Sequence, residues 1–179
     1  MKIGVFIARF QPIHKSHELI IHQALSENDQ VYVFISCSDQ SRQKQNPFTI
    51  EERIDMINQV FPPAIFQDRL IVVPLAEFPS YSKKKWGQYL YNKITETIKQ
   101  NSFSLYCPNN TEMKMNWFTE EQKQYINFRT VERNKNFSNI SATKIREALL
   151  NDDKNYLAKN LPCELYNSTS KFKKILSTV

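Results

Sequence analysis

Short apolar runs alternate along the chain with stretches whose apolar residues recur every three or four positions. The runs Ile3–Ala8, Val31–Cys37, Leu70–Pro74, Phe103–Cys107 and Asn127–Val131 read as strands. Several are nearly continuously apolar, as a strand reads when both of its faces are covered. Between them, Leu19, Ile20, Ala24 and Leu25 form a helical stripe over His17–Leu25. Thr49-Ile-Glu-Glu52 fits a capping box that opens a second helix with Ile54, Ile57 and Val60, and Pro62-Pro63 closes it. A third helix, over Lys83–Lys99, sets Trp86, Tyr89, Leu90, Ile94 and Ile98 on one face. Ser141 is placed to cap a helix that runs to Leu150. A polar break at 151–153 separates that helix from short C-terminal ones. This alternation predicts an α/β fold: one doubly wound parallel sheet of about five strands, in a single domain over 1–179, with a small helical tail over about 150–179.

Composition narrows the class. Of 179 residues, 41% are hydrophobic and 12% aromatic, which excludes disorder. The 24 basic residues against 18 acidic ones leave a net charge of +6, so anionic ligands are favoured. With only two glycines, Gly4 and Gly87, the chain cannot build a P-loop or a G-x-G-x-x-G fingerprint. Cys37, Cys107 and Cys163 form no C-x-x-C pair, which points away from a disulfide framework or zinc site and toward a reducing cytoplasm. No apolar run approaches the ~20 residues of a membrane span. A soluble, cytoplasmic protein is expected.

Three polar segments then stand out by their places. Arg9, His14, Lys15 and His17 fall where the first strand turns, at Pro12, into the first helix. Two of the chain's three histidines are spent there, where helix N–H groups and cations favour phosphate. His22, on another face of the same helix, reads as a packing or solvent residue. Ser41–Thr49 follows the second strand and offers Arg42 and Lys44, and Asn139–Arg146 opens a late helix with Ser141, Thr143, Lys144 and Arg146. In an open α/β sheet ligands bind beyond the carboxyl ends of the strands, and these segments together suit about four negative charges, the number on ATP.

The strings that carry these residues resemble a known family. Arg9-Phe-Gln-Pro-Ile-His-Lys-Ser-His17 is similar to the H-x-G-H signature of the nucleotidyltransferase superfamily. Asn46–Ile54 and Ile140-Ser-Ala-Thr-Lys-Ile-Arg146 resemble its other two signatures. The combination, up to about residue 165, looks like the archaeal-type nicotinamide mononucleotide adenylyltransferases. That resemblance implies a Rossmann-like sheet and a magnesium-dependent reaction of ATP with nicotinamide mononucleotide, giving NAD and pyrophosphate. It places Arg9, Phe10, Gln11, His14, Lys15, His17, Arg42, Ser141, Thr143 and Arg146 at ATP, with His14, His17 and Arg146 catalytic. Trp86 and Asn109 fall where the family meets the mononucleotide, and no protein side chain is expected to hold the metal.

Two departures stand beside this. Ser16 occupies the usual glycine position, and Lys83–Lys85 stand where the family has uncharged polar residues. A second, pyrophosphate-cleaving Nudix domain, common among relatives, is not expected in this chain. The alternatives are transfer to another phosphate acceptor, a non-catalytic nucleotide sensor, and an RNA-binding domain suggested by Lys83–Lys85 and Lys171–Lys174. No nucleic-acid or membrane partner is expected, and a homo-oligomer is left open.

Overall fold

Apolar runs joined by helices close into parallel pairs, because a crossover helix returns the chain to the edge from which the previous strand began. The computed structural model describes residues 1–78, 82–108, 114–132 and 140–179. In order these form β1 (Ile3–Ala8), α1 (Lys15–Glu27), β2 (Gln30–Ile35), α2 (Ile50–Val60), the single turn α3 (Pro63–Phe66), β3 (Leu70–Pro74), α4 (Lys83–Ile98), β4 (Phe103–Pro108), the short α5 (Glu120–Lys123), β5 (Ile126–Val131), α6 (Ala142–Leu150), α7 (Lys154–Asn160) and α8 (Thr169–Leu176). The sheet order is β3-β2-β1-β4-β5, with every pairing parallel. The order reverses between β1 and β4, so a crevice opens beyond their carboxyl ends.

Successive strand residues supply two separate cores. Phe6 of β1 and Val31, Val33 and Ile35 of β2 face the cluster built with α1, α2 and α6. Ile3 and Val5 of β1 and Phe34 of β2 face the cluster built with Leu90, Ile94 and Ile98 of α4. The α/β, doubly wound reading therefore holds, with helices on both faces. The tail packs into the first cluster through Leu157, Leu161, Leu165, Phe172 and Leu176, and Phe172 meets Phe48 edge-on at 5.3 Å. Each such side chain, once buried, is worth roughly 1.5–3 kcal/mol.

The caps behave as their residues dictate. Thr49 and Glu52 form the expected capping box at α2, and Ser141 Oγ accepts from Lys144 N at α6. β2 ends at Ile35, two residues short of the expected Cys37, because Cys37 adopts a left-handed φ of 52° that no strand continues through. Gly87 lets α4 press on the backbone at Trp117, where a Cβ would come within 1.9 Å of the carbonyl oxygen. No helix among the described residues is long and apolar enough to cross a membrane.

Candidate functional site

The chain leaving β1 makes the first wall of the site. Phe10 sits at a left-handed φ of 52°, held by burial: its ring meets Phe6 edge-on at 5.8 Å and the His17 imidazole at 4.8 Å. Tertiary packing here overrides the local preference of a bulky residue. His14 is the N-cap residue of α1, and its carbonyl accepts from the N–H groups of His17 and Glu18 at 2.8 and 3.1 Å. The two imidazoles, His14 and His17, stack with centroids 3.7 Å apart. Both stand at the positive end of a 13-residue helix.

The second wall is the start of α6. Arg146 donates to the Gln11 carbonyl at 2.8 Å and to Thr143 Oγ1 at 3.4 Å, bridging the two signatures across 135 positions of sequence. Burial first, then the charge of Arg9, lowers the Arg146 pKa, while Glu147 opposes this. A guanidinium starts so high that it stays charged at neutral pH. Between the walls lies a cleft of about 250 Å³. Arg9, His14, His17 and Arg146 surround it, with Phe10, Gln11, Gln45, Ser141 and Thr143 also in its lining, and no carboxylate is among the described residues that line it. Two helix N-termini and the guanidinium groups of Arg9 and Arg146, with no carboxylate among the described lining residues, make an anion site.

Several expected residues lie elsewhere. Gln11 borders the cleft, but its side chain is spent on structure: the amide donates to the Phe48 carbonyl at 3.1 Å and accepts from the Phe48 N–H at 2.9 Å. Lys15 is turned away, its Nζ donating to the Ala158 carbonyl of α7 at 3.2 Å. Arg42, expected at the phosphates, forms a fork on Glu52 at 2.9 and 2.7 Å and bonds the Pro47 carbonyl, so its charge is neutralised outside the cleft. Burial alone would raise the Glu52 pKa; Arg42 and the Thr49 N–H outweigh it, and the net shift is downward. Trp86 stays half-buried on α4, packed at 5.6 Å against Tyr89, and does not line the cleft. Asn109 lies outside the described residues.

Ser16, in the glycine position, is fully buried and absent from the cleft lining, so its hydroxyl does not narrow the site. The sequence reading passed over two residues. Gln45 faces the cleft from an exposed loop, and no pattern in that loop marks it. Arg53 is fully buried beneath the site. Its signal was present: it occupies the i position of the buried α2 stripe completed by Met56, Ile57 and Val60.

A larger depression of about 820 Å³ lies at the opposite, amino-terminal edge of the sheet. Its polar groups are largely paired with one another. Arg129 bonds Glu27 at 2.9 Å, and the Tyr106 hydroxyl donates to Glu27 at 2.8 Å while accepting from Asn28 at 2.7 Å. Burial and then Glu27 push the Tyr106 phenol up to about 12. The cationic cleft at the carboxyl edge is the stronger candidate. Among the described residues no group of three or more His, Cys, Asp or Glu is placed to hold a metal.

The profile of the cytidylyltransferase-like family matches residues 5–148, which contain both walls of the cleft. The chain belongs to the cytidylyltransferase-like family. Among relatives in this family, it is 36% identical over 74 residues to a nicotinamide-nucleotide adenylyltransferase of Pyrococcus abyssi, covering 41% of this chain and 40% of that one. It is 33% identical over 93 residues to the same-named protein of Thermococcus onnurineus, covering 52% and 49%. Each alignment thus spans half or less of the relative's length. The cytidylyltransferase-like fold is shared with solved structures. One is a bifunctional NMN adenylyltransferase/ADP ribose pyrophosphatase of Francisella tularensis, complexed with AMP and a manganese ion: TM-score 0.73, 23% identity, 98% of this chain and 52% of that one. Another is a Plasmodium falciparum nicotinic acid mononucleotide adenylyltransferase: TM-score 0.67, 14% identity, 99% and 98%.

Proposed function

We propose that this protein transfers the adenylyl group of ATP to nicotinamide mononucleotide, forming NAD and pyrophosphate. The observation that carries the reading is the convergence of Arg9, His14, His17 and Arg146, from opposite ends of the sequence, on one cleft beside the sheet's switch point, with no carboxylate among its described lining residues. The names of the archaeal relatives support the choice of acceptor.

A 5′-phosphate oxygen of the mononucleotide attacks the α-phosphorus of ATP in line, and the bond to the pyrophosphate oxygen breaks. The nucleophile is already an anion, so no general base or covalent intermediate is needed. Catalysis reduces to alignment and to stabilising charge on the phosphoryl oxygens. His17 and His14, stacked at the head of α1, are assigned to donate to the α-phosphate. Arg146 and Arg9 are assigned to the β and γ end, with Ser141, Thr143 and the α6 N-terminus beside them. A cleft with no carboxylate among its described lining residues suits a divalent ion, magnesium, carried in by the phosphates rather than by side chains. Bound there, magnesium would neutralise charge on the leaving pyrophosphate. The acceptor base is assigned to the α4 side, where Trp86 is half-exposed. The tail's entry into the main core supports treating 1–179 as one domain, and the unbridged cysteines suit the cytoplasm.

Ser16 had been the one encouragement for a non-catalytic sensor; its place outside the cleft removes it. The test is incubation with ATP, magnesium and either nicotinamide or nicotinate mononucleotide, read by chromatography. Dinucleotide and pyrophosphate in equal amounts are expected. Turnover only with pantetheine, glycerol or choline phosphate, or nucleotide binding without pyrophosphate release, would overturn the proposal.

A further inference from the structure

Arg53 is a fully buried cation. None of its side chain is exposed to solvent, and no carboxylate among the described residues forms an ion pair with it. Its five N–H donors all reach backbone carbonyls instead. Nε donates to Thr49 at 3.2 Å, Nη1 to Arg9 and Ser36 at 3.2 and 2.9 Å, and Nη2 to Cys37 and Gln40 at 3.0 and 3.5 Å. Placing an unpaired charge in the interior is expensive, and an apolar residue would suit this stripe position of α2 on packing grounds.

The carbonyls it gathers explain its presence. Those of Arg9, Ser36 and Cys37 lie just past the carboxyl ends of β1 and β2, outside the sheet's ladder. Oxygens of that kind, left bare, set partial negative charge beneath a site meant for anions. The same bonds pin two left-handed residues that would otherwise relax: Phe10, directly after the Arg9 carbonyl, and Cys37, both at a φ of 52°. Phe10 in turn packs on His17, and the next carbonyl, that of Gln11, receives Arg146. Arg53 itself does not line the cleft.

We propose that Arg53 is a positioning residue for the phosphate cleft: it fixes the turns that aim Arg9 and His17, and it masks the carbonyls of the sheet's carboxyl edge. The inference rests on the nucleotide reading of the cleft and adds to it a residue that never meets ligand.

The test compares Arg53→Lys, which keeps charge but has three donors, with Arg53→Met, which keeps neither charge nor donors. ATP is titrated calorimetrically without acceptor, so that binding is read apart from turnover, and steady-state constants and thermal midpoints are taken alongside. Arg53→Lys is expected to weaken ATP binding about tenfold and Arg53→Met more, with the KM of the mononucleotide changed less than about twofold, as displaced positioning groups act. In an Arg9→Ala background, Arg53→Lys should add less than about a twofold further loss, the mark of coupling through Arg9. In the unmutated protein, ATP should shift the Nε–H resonance of Arg53, giving a reading even where a variant fails to fold. Parental ATP affinity in Arg53→Lys, full additivity with Arg9→Ala, or an unmoved Nε–H resonance would overturn the inference. If the parent binds ATP but makes no dinucleotide, adenylyl transfer fails while these readings still judge Arg53.

Discussion

Replacing Gln11 with alanine should weaken the fold before it weakens ligand binding. The side chain is 1% exposed and Phe48 is fully buried, so the two reciprocal hydrogen bonds at 3.1 and 2.9 Å are shielded from solvent. Truncation leaves the Phe48 N–H and carbonyl unpaired, each at about 1–3 kcal/mol, for a loss of roughly 2–4 kcal/mol once some water enters. For a chain of this length that lowers the melting temperature by roughly 5–15 °C. Gln11→Glu should lose a similar amount at neutral pH, because its carboxylate would face the Phe48 carbonyl. Urea unfolding followed by circular dichroism measures both, with ATP kinetics taken well below the new midpoint. A loss under about 0.5 kcal/mol, far below what an orphaned buried group costs, together with a large rise in the KM for ATP, would refute the reasoning and return Gln11 to the ligand.

His17→Ala should lower kcat about 10²–10³-fold by analogy with loss of one oxyanion donor, and activity within a few-fold of the parent would remove His17 from the α-phosphate. Gly87→Ala sets a methyl 1.9 Å from the Trp117 carbonyl oxygen. Overpacking of roughly 1–3 kcal/mol should outweigh the helix propensity gained, so calorimetry should show a lower, not higher, melting temperature. Burial first, then Glu77, pushes the Cys37 thiol up to about 12 from 9.0. Its protonated form is thus favoured by folding, and that stability is complete below pH 9 and declines as pH rises toward 12. At pH 8 iodoacetamide should label the exposed Cys163 first, with buried Cys37 and Cys107 modified only on unfolding, as mass spectrometry can follow.

Much of the fold was legible because periodicity reports burial. The five strands emerged within a residue or two of their runs, and Thr49-Ile-Glu-Glu52 marked the start of α2 by its cap. Of the site, the parts that repeat a local rule were readable: histidines at the head of α1, and a capped basic turn at α6. What failed depends on distant partners. Nothing local tells Arg42 that Glu52 will neutralise it, or Lys15 that a carbonyl 143 residues away will hold its ammonium. The resemblance places Gln11 at ATP, yet its amide answers a peptide group 37 positions on. Arg53 went unread for the opposite reason: its clue was local, a charged residue placed in an apolar stripe.

The central claim is that the cleft between the heads of α1 and α6 grips a triphosphate. A crystal structure with magnesium and a non-hydrolysable ATP analogue measures this directly. The account predicts the phosphates lodged among Arg9, His14, His17 and Arg146, with Arg42 still on Glu52. Phosphate density at the amino-terminal depression beside Arg129, with this cleft left to solvent, would contradict it.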